Sequence, residues 1–487
     1  MLDDEFERLL QILKEDDKTT VDVHHESCED SLPDPKPAGS NEEKPPGLAD
    51  TRVIHSTDTT GFWSCVRSDN TLCISNMICT TREANTRKPE AQMARIVHRL
   101  LRLLRNTYHI EPSSIVSSTL LLRSMADFTA INPVYGSLFT EPSPPARVTV
   151  ACGDTLPDEV EVMLSVVVDL GSAQARKGLH VQSRSYWAPA NIGPYSQAVA
   201  VPVPSRDNTH LDTLQQDDAR LKMVYVAGQI PLVPASMELV RDEGAAGFRL
   251  QTVLALQHLW RIGRAMSVVW WTAGVAFISR CDGREATGRV ATALEAWTSI
   301  HRLAYEEQNA RLGPEDEDTV DVWDMKHGMG ARAGTDSVTS DNGRPPLPDY
   351  SRVLAPPDVA AVGSAMAPPC IVVQVDELPR GADIEWTSLG LAPGGIELQV
   401  TQGIVTGAGR AGSIFQWVAV AVPTDVDAIG QGEVILGQYT VYAAQPLPAA
   451  WLERAKPRVI PCRAIWSDDG RELAAVVAVA RSQLIRS

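Results

Sequence analysis

Hydrophobic and polar positions follow a recurring order of strands and helices along the chain. Within residues 51–175 the alternation predicts two strands, a helix, a third strand, a second helix and two closing strands. The first helix has the clearest pattern, because its apolar residues recur at the spacing of one helical face: Met93, Ile96, Val97, Leu100, Leu101 and Leu104. This ββαβαββ order predicts an α+β unit, with both helices packed on one face of the sheet.

The same order recurs within residues 187–395, so the chain is predicted to contain two copies of one fold. In this second unit, strands are predicted at 196–203 and 221–232, and the acidic, glycine-rich segment 312–345 is predicted to be a loop. Residues 396–487 form a β-rich C-terminal extension. Its order of strand, helix and hairpin fits either completion of the second unit's sheet or a partial third copy.

The first 50 residues lie outside this repeat. Residues 1–17 predict one short amphipathic helix, and residues 18–50 are polar and proline-rich, which is typical of a disordered linker. The acidic N-terminus is unlike a signal or transit peptide, and no stretch of 18 uninterrupted apolar residues occurs. We therefore expect a cytoplasmic protein that does not span a membrane.

Charge and cysteine usage narrow the expected ligands. The net charge of -17 repels phosphate backbones, which disfavours general nucleic-acid binding. The eight cysteines form no CxxC pair and lack histidines at zinc spacing, so they are expected to be reduced thiols rather than metal ligands. The sequence predicts no metal site and no cofactor held by these residues.

Two turns in the second unit form an uncommon pair. Residues 192–198 read IGPYSQA, and residues 226–232 read VAGQIPL. The first unit carries a complementary set: Asp127-Phe128, Asn132, PPAR at 144–147, and Glu161. Together these motifs resemble the Rid family, also called the YjgF or L-PSP endoribonuclease family. The resemblance covers about 51–175 and 187–395 and implies a chorismate-mutase-like fold.

The resemblance also implies a chemistry, the hydrolysis of reactive enamines and imines with release of ammonia. An arginine would hold the substrate carboxylate, since its planar fork pairs with a carboxylate bidentately, and an acidic side chain would position water or move a proton. By this resemblance the catalytic residues are Arg147 and Glu161. The substrate-binding residues are Gly193, Tyr195, Ser196, Gly228, Gln229, Asn132 and Glu385.

These site residues are divided between the two copies. In the second unit Cys370 stands at the arginine position, and a neutral thiol does not replace a guanidinium. Cys370 has no basic neighbour in sequence to lower its pKa, so a nucleophilic role is not expected. Rid proteins are trimers with clefts between subunits, which implies that Arg147 meets the turns around Tyr195 and Gly228 across an interface.

Several alternatives stay open at this stage. Arg147 could instead pair with Glu161 or cap a strand end, and Tyr195 could be an aromatic residue at the edge of the core. Arg463, in the segment Pro461-Cys462-Arg463, is a second and weaker candidate for the missing arginine. The assembly is expected to be a homo-oligomer or a pseudo-trimer.

The tandem arrangement, with a tail that ends in VIPCRAIW, also resembles the C-terminal half of fungal diphthine–ammonia ligases. That resemblance implies ATP-dependent amidation of diphthine on a translation elongation factor. ATP is expected only with an N-terminal domain whose SGGKDS signature is absent here, so the sequence looks like the Rid-like half, by truncation or by gene model.

Three functions follow from these resemblances. The chain could be an accessory module of the ligase, an imine deaminase acting through Arg147, or a structural trimerisation unit without any ligand. A small carboxylate or imine is the expected ligand of the first two.

Overall fold

The computed structural model describes eleven segments of the chain: residues 1–15, 63–68, 70–203, 221–241, 244–311, 346–353, 367–392, 396–401, 404–409, 413–422 and 438–484. The predicted linker at 18–50, residues 204–220 between the first two predicted strands of the second unit, and the predicted loop at 312–345 lie outside these residues.

The first sheet has the predicted ββαβαββ order. Its strands and helices are β1 (Ser64–Ser68), β2 (Thr71–Ile78), α2 (Thr81–Ala84), α3 (Pro89–Arg102), β3 (Ile115–Leu122), α4 (Phe128–Gly136), β4 (Ala146–Ala151) and β5 (Val162–Asp169), after a separate N-terminal helix α1 (Asp4–Glu15). The spatial order is β1-β2-β5-β3-β4. Only β3 and β4 pair in parallel, because α4 supplies the crossover that returns the chain to the same edge.

Helices α3 and α4 cover one face of this sheet, as the apolar stripe predicts. Met93, Ile96 and Leu100 are fully buried against strand residues such as Leu72 and Ile74. The mixed α+β class is therefore confirmed. Helix α3 continues as a π-helical segment, Leu103–Tyr108.

The second sheet repeats this order with longer helices. Its elements are β7 (Ala198–Pro202), β8 (Lys222–Val226), α5 (Gly244–Ala265), β11 (Trp270–Trp271), β12 (Gly274–Ile278), α6 (Gly283–Arg311), β13 (Cys370–Gln374), β14 (Ile384–Thr387) and β15 (Leu389–Ala392). Strand β14 pairs with β12, and β15, one residue later, pairs with β8. The pairing divides these strands between two sheets, one that contains β11-β15-β8-β7 and one that contains β14-β12-β13, and the two meet where β14 is followed by β15. Together they are called the second sheet, and β12 and β13 form its parallel pair.

Three short strands lie outside this order. Strand β6 (Lys177–Leu179) extends the edge at β7, whereas β9 (Leu232–Val233) and β10 (Glu238–Leu239) form a small separate ribbon. Helix α1 packs on α5 and α6, where it buries Phe6, Leu9 and Leu13.

The C-terminal extension contributes to two sheets. Its elements are β16 (Ile396–Thr401), β17 (Ile404–Gly409), β18 (Ser413–Val422), β19 (Gln438–Ala443), α7 (Ala449–Ala455), β20 (Arg458–Pro461), β21 (Ala464–Trp466), β22 (Glu472–Leu473) and β23 (Ala475–Leu484). Strands β21 and β22 extend the second sheet beyond β13. The others form a third sheet, β16-β17-β18-β23-β19-β20, in which β19 and β20 are parallel.

The three sheets therefore share one strand order, and their registers can be matched residue by residue. The parallel pairs end at Leu122 with Ala151, at Ile278 with Gln374, and at Ala443 with Pro461. In each case the next residue donates its N–H to the last carbonyl of the central strand. Counting back four residues from the second member of each pair gives Arg147, Cys370 and Pro457 as structural equivalents.

One topological expectation is wrong. The sequence predicts that residues 371–391 form a closing hairpin in the second unit, and that the last two strands of the first unit flank a short DTLPDE turn. Instead, β3 lies between β4 and β5 in the first sheet, and β12 lies between β13 and β14 in the second. The reason is that the central strand offers two free edges, and the closing strand takes the antiparallel one.

The sheets contact each other on the faces opposite their helices. One apolar cluster joins Leu121 and Val150 of the first sheet to Phe277 of the second and to Tyr442 and Ile460 of the third. At one end of this shared core Arg463 pairs with Asp376 and Asp154. None of the helices in the described ranges has the length and apolar character of a membrane span.

The junction between the first and third sheets depends on Asn76. This residue has a positive φ of 60° within a bulge of β2. Its side chain donates to the carbonyl of Pro457 at 2.8 Å and accepts from the N–H of Val459 at 2.9 Å. The Asn76 side chain thus provides hydrogen-bond partners for two backbone groups at the start of β20.

Replacing Asn76 with alanine should lower the free energy of unfolding by about 2–4 kcal/mol, since two buried hydrogen bonds and a residue tolerant of positive φ are lost together. Urea denaturation measures the change in the free energy of unfolding. Asn85→Ala is the matched control, because Asn85 has a similar φ of 56° at the end of α2. Equal losses in the two variants would show that only backbone strain is involved.

Candidate active site

The most unusual side chain of the first sheet is the buried Arg147. It follows Ala146 at the start of β4 and is only 5% exposed. Helix α4 presents three groups to it at helical spacing: the Phe128 ring with its centroid at 5.3 Å, the Tyr135 ring at 4.9 Å, and Asn132, whose Oδ1 accepts a hydrogen bond at 2.8 Å. The aromatic faces stabilise the cation without neutralising it.

The second unit closes this pocket with the IGPYSQA turn. Ala146 and Ser196 form a parallel bridge, and the Ser196 N–H donates to the carbonyl of Pro145 at 3.1 Å. Tyr195 thereby places its ring centroid 5.3 Å from the Arg147 guanidinium carbon. Glycine at position 193 leaves space for these side chains, since a Cβ would lie 2.6 Å from Arg147 Nη2 and 2.8 Å from Asn132 Nδ2.

The VAGQIPL turn contributes a second close approach. The Gly228 N–H donates to the carbonyl of Arg147 at 3.1 Å. A Cβ on Gly228 would lie 1.5 Å from Glu385 Oε1, so the missing side chain makes room for this carboxyl group. Gln229 fixes the turn, since its backbone exchanges two hydrogen bonds with Trp386 and its side chain donates to the carbonyl of Ala227 at 2.8 Å.

Burial controls the protonation of Glu385. The residue is 2% exposed, and burial raises the pKa of its carboxyl group from 4.5 to about 8, although the positive charge of Arg147 acts in the opposite direction. At neutral pH the side chain is mostly protonated and can donate a hydrogen bond. The cleft therefore has an excess of positive charge and of donors.

Two buried atoms in the cleft lack partners. Within the part of the chain that the structure describes, Ser196 Oγ and Glu385 Oε2 are buried without a hydrogen-bond partner. Buried polar atoms are nearly always satisfied, so these two atoms, on residues that border Arg147, are candidates to contact a polar ligand. Such an arrangement suits a small carboxylate, which arginine can bind through paired N–H groups.

Most of the predicted site residues meet in this cleft. The structure brings together Arg147 and six of the residues predicted to bind substrate, whereas Gln229 supports the turn rather than lining the guanidinium. The six are Asn132, Gly193, Tyr195, Ser196, Gly228 and Glu385. The alternative pairing of Arg147 with Glu161 is not observed.

The placement expected for Glu161 is corrected by the register. Its side chain pairs with Arg123 at 3.3 Å. Both Glu161 and Asp383 accept a backbone hydrogen bond just after the central strand, so these two residues are equivalent. Met163, two residues later, has the position that Glu385 has in the second sheet. The loop before β5 is one residue longer than its counterpart, which spacing in the sequence conceals.

The structure also places the two other arginine-position candidates outside any complete cleft. Cys370 is buried and burial raises the pKa of its thiol, which makes it a poor nucleophile. Arg463 is held by Asp376 at the end of the shared core and does not reach the turn of Tyr195. The third sheet has Pro457 at the position of Arg147.

Tyr135 is a site residue that the sequence analysis missed. It lies seven residues after Phe128 and three after Asn132, which places all three on one face of α4. That periodicity was available in the sequence, but it equally fits a core helix. The described residues contain no cluster of His, Cys, Asp and Glu that could hold a metal ion.

Comparison with known families agrees with this geometry. Residues 55–168 match the family described as Endoribonuclease L-PSP, which is the Rid family. The chain contains a Rid domain. Its Arg147 cleft is thus formed between this Rid domain and the sheet that follows it.

Relatives of the Rid-like portion include two curated fungal proteins. The diphthine–ammonia ligase of Schizosaccharomyces pombe is 34% identical over 215 residues, which cover 44% of this chain and 30% of that protein. The diphthine–ammonia ligase of Saccharomyces cerevisiae is 37% identical over 205 residues, which cover 39% of this chain and 26% of that protein. The matched part is therefore less than a third of each relative's length.

Solved structures with similar segments include two bacterial proteins. A putative translation initiation inhibitor from Salmonella typhimurium is 21% identical, covers 24% of this chain and 96% of its own, and has a TM-score of 0.22. A YjgF family member from Neisseria meningitidis is 21% identical, covers 26% of this chain and 98% of its own, and has a TM-score of 0.22.

The raised pKa of Glu385 predicts a specific pH dependence of stability. The folded state holds this proton up to about pH 8, whereas the unfolded chain releases it near 4.5, so stability falls as the pH rises through this window. The slope is at most about 1.4 kcal/mol per pH unit. Glu385→Gln removes this term, so its stability relative to wild type should increase from pH 5 to pH 8.

Denaturation at pH 5, 6, 7 and 8 measures the effect. Glu161→Gln is the matched control, because it removes a carboxyl group that pairs with Arg123 and lies outside the cleft. Parallel profiles for wild type and Glu385→Gln would contradict the burial of a protonated carboxyl group.

Proposed function

We propose that this chain is the Rid-like part of a diphthine–ammonia ligase and acts in diphthamide biosynthesis. The support is the similarity to two proteins of that name, which is confined to the Rid-like portion. The substrate would be diphthine on a translation elongation factor in the cytoplasm. ATP would be handled by a domain with the SGGKDS signature, which this sequence does not contain.

We further propose that the second and third sheets are copies of the Rid fold. Their shared strand order and matched parallel pairs support this. One chain would then form by itself the trimer-like arrangement that separate Rid subunits form. Only one of the three arginine positions would carry arginine, which gives one complete cleft per chain.

The cleft supports binding of a small carboxylate or imine. The observation that carries this proposal is the meeting of Arg147, the Tyr195 turn and Glu385 around two unpartnered polar atoms. Arg147 would bind the carboxylate through its N–H groups. Because Gly193 and Gly228 carry no side chain, Arg147 and Glu385 can converge on the place where the ligand would bind.

Hydrolysis of an imine is the second candidate function, and the protonated state of Glu385 favours it. Glu385 would donate its proton to the imine nitrogen while a water molecule adds to the carbon. One proton of the water would return to the carboxylate, which would pass it to the amino nitrogen of the intermediate. The carbon–nitrogen bond would then break and ammonia would leave, while the hydroxyl proton returns to the carboxylate and the carbonyl product forms. Such a reaction releases the ammonia that the ligase consumes.

Ammonia release from 2-aminoacrylate tests the deaminase candidate. Arg147→Ala should lower kcat/KM by about 100-fold or more, because a charged hydrogen-bonded pair with the substrate is lost. Arg463→Ala should keep the wild-type rate, since Arg463 lies outside the cleft. Absence of ammonia release by the wild-type protein would exclude this activity.

Removal of the protein from its host tests the ligase role separately. The elongation factor should then retain diphthine in place of diphthamide, which the mass of the modified peptide reports. Full amidation in the absence of the protein would contradict a role in diphthamide biosynthesis, whatever the outcome of the deaminase assay.

A further inference from the structure

A second polar site lies where the three sheets face one another. A cavity of about 130 Å³ is lined by residues of every sheet, among them Thr119 of the first, Val275 of the second and Arg458 of the third. This volume is enough for several water molecules or one small ion. None of its lining residues belongs to the Arg147 cleft, since Arg147, Tyr195 and Glu385 do not reach it.

Arg458 breaks the equivalence of the three sheets inside this cavity. In the parallel pairs, Thr119 lies beside Val148, Val275 beside Ile371, and Thr440 beside Arg458. Two sheets thus present a branched apolar side chain at the position where the third presents a guanidinium. An apolar residue at this position is compatible with the fold, so the arginine needs another explanation.

The hydrogen bonds of Arg458 involve only neutral hydroxyl groups. Its Nη1 donates to Thr119 Oγ1 at 3.2 Å, and its Nε and Nη2 donate to Thr440 Oγ1 at 3.2 and 2.6 Å. None of the ion pairs found among the described residues includes Arg458, and no aspartate or glutamate lines the cavity. A partly buried cation without a counter-charge is costly, so an anion beside it would be stabilising.

The two threonines extend this preference for an anion. Because each accepts hydrogen bonds from Arg458, its own hydroxyl proton remains free to donate to a third group. Three further lining hydroxyls are directed elsewhere: Thr272 donates to the carbonyl of Leu389, Ser388 to that of Ala273, and Thr387 to that of Val226. Arg458, Thr119 and Thr440 therefore form a convergent set of donors on one side of the cavity.

We propose that this cavity binds a small oxyanion, held by the Arg458 guanidinium and by the hydroxyl groups of Thr119 and Thr440. Inorganic phosphate, sulfate and short carboxylates share the required chemistry, and the cavity of about 130 Å³ has room for them. The site is separate from the Arg147 cleft and does not depend on the proposed function. Its occupation would link the third sheet to the first across the shared core.

Calorimetric titration and melting temperature in chloride buffer, with phosphate, sulfate or acetate added, test the proposal. Wild type should bind at least one of the three anions and melt at a higher temperature in its presence. Arg458→Ile places in the third sheet the residue type found at position 371, and it should weaken anion binding by about tenfold or more. Thr119→Val is a milder second variant that removes one hydroxyl donor and should weaken binding in the same direction.

Arg147→Ala distinguishes this site from the cleft. It should keep the anion response if the cavity is the binding site, even if it abolishes any activity of the cleft. An unchanged response in both Arg458→Ile and Thr119→Val would overturn the proposal. The proposal would also be overturned if wild type neither binds nor changes its melting temperature with any of the three anions at about 10 mM, a concentration well above a millimolar Kd.

Discussion

Backbone pairing between the first and second units is the interaction on which the candidate site depends. The parallel bridge from Ala146 to Ser196 and the hydrogen bond from the Gly228 N–H to the Arg147 carbonyl attach two turns of one unit to the first strand residues of another. Neither partner forms the cleft alone, because the cation and its aromatic neighbours come from one sheet and the glycine turns from the next. Any change that separates the sheets removes the cleft before it unfolds either sheet.

A repeated backbone with unequal side chains gives each junction a different property. The position of Arg147 is Cys370 in the second sheet and Pro457 in the third. At the first junction Gly228 leaves room for Glu385, whereas at the junction of the third and first sheets Asn76 fills the corresponding space and bonds the facing strand. One junction therefore holds buried polar side chains around Arg147, and another is held by the hydrogen bonds of Asn76.

Low dielectric surroundings make the side chains of the open cleft interdependent. Arg147 stays cationic although burial disfavours its charge, and Glu385 responds to the same burial by holding its proton to about pH 8. A charged carboxylate at Glu385 would neutralise Arg147 internally. With Glu385 protonated, the positive charge of Arg147 remains available for a ligand. Ser196 Oγ and Glu385 Oε2, which have no hydrogen-bond partner among the described residues, can then bond to that ligand.

The sequence by itself determined the elements, the family resemblance and most of the cleft. Local periodicity predicts helix α3 and the strands around it, and the IGPYSQA and VAGQIPL turns contain the two glycines beside which the Arg147 and Glu385 side chains lie. Local patterns do not report which strands become neighbours, so the closing hairpin predicted for the second unit was wrong. Likewise, one extra residue in a loop was enough to misplace Glu161 relative to Glu385. Only the tertiary structure showed that Arg463 belongs to the shared core and that the C-terminal extension forms a third sheet. It also showed that the position of Arg458 is occupied by an apolar residue in each of the other two sheets. Those facts depend on long-range strand register and on packing between sheets, which residues far apart in the chain decide together.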